Sequence, residues 1–190
     1  MKRILIVLTI ASIWVGVCAK VSGQQAEAKA KAEATIAGIP KWVMDYFNFR
    51  TGGTGRWVTD NSKYKGENEP FDEYVTEWTW SAGKQSIKGR LVGLKEKKEV
   101  ATFVEFRMFW HPAQRKVITQ AFSANGSHAA GELQRSESEI RIEHTVFNLA
   151  GGSYRELIRE IDSKDEFRTE DFIWKDGNWV PQRTYLWRRV

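Results

Sequence analysis

The stretch TGGTGRWVTD, residues 51–60, packs three glycines into four positions and then runs into a tryptophan. Two readings compete for it. A phosphate-cradling loop needs its glycines between a strand and a helix, usually with Lys-Ser/Thr close behind. Here the preceding PKWVMDYFNF, residues 40–49, carries Trp42, Val43, Tyr46 and Phe47 at helical spacing, with Pro40 suited to the first turn. From Arg56 onward the period changes to two. A helix precedes the glycines, a strand follows, and no Gly-Lys-Ser/Thr is present. The glycines therefore let the chain turn sharply from a helix closing one end of a barrel into a first strand. Trp57 then fills that end of the lumen.

The alternation continues outward from this point. In FDEYVTEWTW (71–80), Tyr74, Thr76, Trp78 and Trp80 oppose Glu73 and Glu77. In QSIKGRLVGL (85–94), Ile87, Gly89, Leu91 and Gly93 oppose Lys88 and Arg90. In VATFVEFRMFW (100–110), Val100, Val104, Phe106, Met108 and Trp110 oppose Glu105 and Arg107. In EIRIEHTVF (139–147), Ile140, Ile142, His144 and Val146 oppose Glu139, Arg141 and Glu143. These are half-buried antiparallel strands with one wet face. Turn signals such as Asn125-Gly126, Gly151-Gly152 and Asp176-Gly177 separate them at hairpin spacing. A meander this long exposes its edges unless the sheet closes. The expectation is an all-β, up-and-down antiparallel barrel of roughly nine or ten strands with a short N-terminal helix over one end. SYRELIREI (153–161) fits two descriptions. As a helix it has Tyr154, Leu157, Ile158 and Ile161 on one face and a Ser153/Glu156 capping box. As a strand it carries charge on both faces, and the meander on either side favours the strand.

The N-terminus reads as an export signal. Lys2 and Arg3 precede an apolar run from Ile4 to Val17, and small residues follow at Ala19, Ser22 and Gly23. This is the order of a secretory signal peptide over residues 1–23, cut after Ala19 or Gly23. The run is shorter than the roughly 20 residues that span a bilayer. Val17 before Cys18 is wrong for lipid attachment. Cys18 is the single cysteine, so a chain cut after it enters an oxidising compartment with no disulfide to form. Loss of Lys2, Arg3 and Lys20 takes three of the five net positive charges, and the rest alternate in sign. No basic footprint for nucleic acid and no polybasic membrane segment remains. Residues 24–39, an Ala/Glu/Lys-rich stretch, read as a linker. Residues 40–190 form the barrel domain, monomeric or weakly self-associating, with a periplasmic or secreted location.

The residues now carry a resemblance. A short helix, then Gly55-Arg56-Trp57 opening the first strand of an antiparallel meander, resembles the lipocalin and wider calycin pattern. In that family a basic residue near the C-terminus packs across the first-strand tryptophan. The resemblance implies that Arg188 or Arg189 in TYLWRRV takes this part, with Gly55, Trp57 and Arg188 as the base of the barrel. The layout from Pro40 to Val190, including EYVTEWTW, GRLVG, FWHPAQRKV and DGNWVP, also resembles bacterial secreted lipocalin-like proteins of unassigned function. The chain ends on a strand pattern and lacks disulfides, which fits a calycin relative better than a true lipocalin. Nitrobindin-like barrels are similar in architecture and bind haem through one histidine, so the resemblance implies haem at His144 as one cofactor reading. No other cofactor is expected.

Chemistry is sparse in the sequence. Three scattered histidines and no mature cysteine show no zinc spacing, and no nucleophile elbow appears. His144 lies on an apolar face, as a hydrogen-bonded core residue or a lumen-facing group. Glu156 and Glu160 are general acids only if the barrel buries them, while Glu105 and Glu143 alternate outward. Arg155 and Arg159, if 153–161 is a strand, point inward to an anionic group or an ion pair. Rings dominate, and Trp57, Trp78, Trp80, Phe106, Met108 and His144 are the lining expected for a flat apolar ligand in the barrel mouth. The leading expectation is a small-molecule binder with no catalytic residue and no metal. An isomerase or cyclase using a buried acid or histidine is the alternative, and a ligand-free interaction module the third.

Overall fold

The computed structural model describes residues 38–163 and 165–190. The expected signal peptide, with Cys18, and nearly all of the expected linker lie outside them. Helix α1 (Lys41–Thr51) is followed by ten strands: β1 (Arg56–Asp60), β2 (Glu73–Trp80), β3 (Ser86–Lys95), β4 (Lys98–His111) and β5 (Lys116–Ser123), then β6 (His128–Arg135), β7 (Ile140–Phe147), β8 (Ser153–Asp162), β9 (Glu166–Lys175) and β10 (Asn178–Arg189). Each strand pairs antiparallel with its neighbours in sequence, and β1 pairs with β10 to close the barrel. This is the expected up-and-down closed barrel, consistent with a calycin-like architecture. The ambiguous 153–161 segment is strand β8, zipped to β7 and β9 along its length.

The glycine-rich stretch makes the corner as its composition requires. Gly53 and Gly55 sit at φ +63° and +68°. A Cβ on Gly55 would lie 2.1 Å from the Trp78 carbonyl oxygen. Only glycine allows that approach, and the Gly55 carbonyl uses it to accept from the Trp78 amide at 2.8 Å. Above the corner α1 seals the lower end of the barrel with Val43, Tyr46 and Phe47, while Lys41 and Asp45 face water.

Alternation sorts side chains as the period of two demands. Trp57, Trp78, Ile87, Met108, Val117, Leu133, Ile140 and Phe167 point inward and form one apolar cluster with α1. The outer wall is charged: Arg56, Glu77, Arg90 and Glu99 form a ladder with contacts of 3.3, 2.6 and 2.7 Å across β1 to β4. In β4 the expected face is broken. Extra residues at Phe103 and Val100 have no partner in the β3 register, so Phe103 turns inward and Val100 is left exposed.

Candidate functional site

The floor of the lumen is built by α1. Arg50 rises from its last turn into the barrel and is 3 % exposed. It pairs with Glu160 of β8, its Nε donates to the Tyr46 hydroxyl at 3.1 Å, and that hydroxyl donates to Glu160 at 2.8 Å. Burial pushes the Glu160 carboxyl up, and Arg50 pulls it back. The guanidinium carbon lies 3.8 Å from the Phe167 ring centre.

Above this floor is a cavity of about 350 Å³. Trp78 and Phe106 form one wall, stacked at 5.3 Å and 15°. Tyr74, Phe103, Tyr185 and Trp187 form much of the rest, with Leu91 and Ile158 between them. Its volume lies within the ~300–1,000 Å³ range of small-molecule sites. The polar groups facing it are few: Thr76, Thr169, Asp171, Arg183 and, from below, Arg50. Trp187 Nε1 donates to Thr169 Oγ1 at 3.1 Å. Trp78 Nε1 and Thr76 Oγ1 are buried without a hydrogen-bond partner. In a native interior such orphaned groups call for an explanation, an unseen water or ligand among them.

The rim is fastened by the segment between β1 and β2. Glu69 accepts from Arg183 and from the Tyr74 hydroxyl, both at 2.6 Å. Arg183 also donates to Tyr185, whose hydroxyl donates to Asn61 at 2.9 Å. These bonds hold Glu69 below the usual carboxylate range despite opposing desolvation. Desolvation lifts the Tyr185 hydroxyl to about 12. Asp171, across the β9–β10 pair from Arg183, is different. Among the described residues it has no ion-pair or hydrogen-bond partner, and desolvation, with Glu156 and Glu160 nearby, pushes its carboxyl up to about 7 against the opposing pull of Arg183.

The expected site residues divide. Trp78 and Phe106 line the cavity. Trp57, Trp80 and Met108 are inside but belong to the floor: Trp57 donates to the Arg50 carbonyl at 3.0 Å, and Trp80 packs edge-on to Phe47. His144 faces the lumen between β6 and β8 but does not border this cavity. Its Nε2 is 3.3 Å from Thr119 Oγ1, and its unpartnered Nδ1 is 3.7 Å from Glu156.

Three expectations are corrected. Arg155 and Arg159 point outward, because the inward set on β8 is Glu156, Ile158 and Glu160. Arg155 pairs with Glu143 and lies 4.7 and 5.1 Å from the ring centres of Trp174 and Trp179. Arg159 bridges Glu139 and Glu170. Arg188 also faces out, 3.6 Å from Glu166. Arg189 takes the place across Trp57, 4.2 Å from its ring centre, and donates to the carbonyls of Gly52 and Phe49 at the end of α1. Arg50, Glu69, Asp171, Arg183 and Tyr185 were absent from the expected site. No protein-family model matches the chain, and a search of curated proteins finds no match.

Proposed function

We propose that this protein is an exported, lipocalin-like binder that holds a small, flat, largely apolar molecule in the upper lumen. The observation that carries the reading is the ring-walled cavity with Trp78 Nε1 and Thr76 Oγ1 unpartnered in its wall. A plugged barrel would have filled that space and satisfied those groups. The charged order of Lys2, Arg3, apolar run and small residues supports export. The outer wall supports a barrel that stays out of the bilayer, since a membrane barrel presents an apolar band outward and this one presents the Arg56–Glu77–Arg90–Glu99 ladder. No helix among the described residues is long and apolar enough to cross a membrane.

Native mass spectrometry with an absorption spectrum, on protein exported in its own host and purified gently, tests the reading. A retained organic molecule that is lost in Trp78→Ala is the expected result. A clean mass, unshifted by a panel of lipids, flat aromatic compounds and haem, overturns it. A Soret band abolished by His144→Ala would replace the organic ligand with haem. A second reading, acid–base catalysis of isomerase or cyclase type, is favoured by Asp171 alone: a lumen carboxyl at about 7 holds or gives up a proton near neutral pH.

A further inference from the structure

Resting on the binder reading and sharpening it, we propose that the cavity takes an organic cation: an ammonium group on a flat apolar body, with Asp171 as its counter-charge. The charges of the lumen lead there. Arg50 is neutralised by Glu160, and Arg183 by Glu69. Both guanidinium groups that line the cavity are committed, so an anionic ligand has no free partner there. What remains is Asp171, unpaired among the described residues, with Glu156 close enough on β8 to raise its carboxyl further. Asp171 is half-buried, and a carboxyl drawn from water without a bonded counter-charge is costly; a bound cation lowers that cost.

The walls agree with the charge. Ring faces attract cations within about 6 Å, most strongly when water is excluded. The same lumen already does this with Arg50, held over the face of Phe167 and 5.6 Å from Trp78. Trp78 Nε1 and Thr76 Oγ1, on side chains 4 % and 7 % exposed, add a further requirement. The body of the ligand carries an acceptor oxygen, such as an ether or carbonyl.

Three probes separate the outcomes: naphthylmethylamine, a cation; naphthylmethanol, neutral; and naphthoate, an anion. Each is titrated calorimetrically into the purified protein. The expected order is amine first by at least about tenfold over the alcohol, with naphthoate weakest. In Asp171→Asn the amine loses its advantage and binds no better than the alcohol. The groups facing Asp171 are Glu156 and Glu160 of β8, Arg183 and Tyr185 of β10, Tyr74 of β2 and Arg50 of α1. Asp171 itself has its carboxyl at about 7. Protonation competes with the cation, so amine affinity falls about tenfold from pH 8 to pH 6, and the alcohol shows no such fall. Equal binding of amine and alcohol, a flat pH profile for the amine, or naphthoate binding first overturns the cation and leaves the binder standing. Failure of all three probes to bind overturns both.

Discussion

At the scale of single residues, Asp171 carries the clearest consequence. Its carboxyl stands at about 7 against an ordinary 3.8 because folding removes it from water. Between those values the folded state holds a proton that the unfolded state has released. The unfolded state binds fewer protons there, so stability falls as pH rises through that window. At 1.36 kcal/mol per pH unit the gap caps the effect at roughly 4 kcal/mol. Partial exposure of the side chain to the cavity reduces it to ~2 kcal/mol. Asp171→Asn therefore raises Tm by roughly 4–8 °C at pH 8 and leaves it unchanged near pH 4. Thermal melts at the two pH values check this, and an equal gain at both would show that the carboxyl is not the cause. The residue was legible in principle: Phe167, Thr169, Asp171 and Ile173 alternate along β9. Glu170 beside it puts charge on both faces, and that hides which one is inward. Parity likewise decided between Arg188 and Arg189. Trp187 is inward, so Arg189 is as well, and only the Trp57–Arg189 register made that plain.

At the scale of elements, β8 shows what local pattern conceals. Its apolar residues suit a helix, and its lumen face carries Glu156, Glu160 and Asp162 beside Ile158. The strand period yields no apolar stripe, because Glu160 is not there to be apolar. It is there to meet Arg50, which α1 brings from more than a hundred residues away in sequence. Sequence periodicity cannot register a partner at that distance. The helix, the glycine corner and four of the strands were legible because each obeys its own period, in β4 only from Val104 onward. The joint between α1 and β8 was not. Breaking it is costly. Glu160→Leu strands the Arg50 guanidinium in a buried site, and loss of one partner of such a pair costs ~3–5 kcal/mol. Arg50→Met together with Glu160→Leu removes both charges and restores most of that loss. Urea unfolding of the single and double variants measures the coupling. Additive losses would mean that α1 is held by its apolar face alone.

At the scale of the whole molecule, the barrel has one uneven seam. The closing pair of β1 and β10 matches only Trp57 with Arg189 and Val58 with Arg188, although β10 runs ten residues further up. Above Val58 the segment between β1 and β2 stands in for a strand. The Tyr64 hydroxyl accepts from the Thr184 amide at 2.9 Å, and Asn61 accepts from the Tyr185 hydroxyl. Side-chain contacts replace ladder bonds beside the cavity wall that contains Arg183 and Tyr185. A single hydroxyl is a weaker latch than a strand ladder, because its loss frees one amide without disturbing the next. Tyr64→Phe removes that acceptor and keeps the ring that packs edge-on to Tyr185 at 5.3 Å. Hydrogen exchange at Thr184 then speeds at least about tenfold, in proportion to a lost bond worth ~1.5 kcal/mol, and Trp187 and Arg188 are unaffected. Faster exchange along all of β10 would mean instead that the closing pair itself depends on Tyr64. No change at Thr184 would mean that this edge is held from elsewhere, and the upper seam would cease to be the weak side of the cavity.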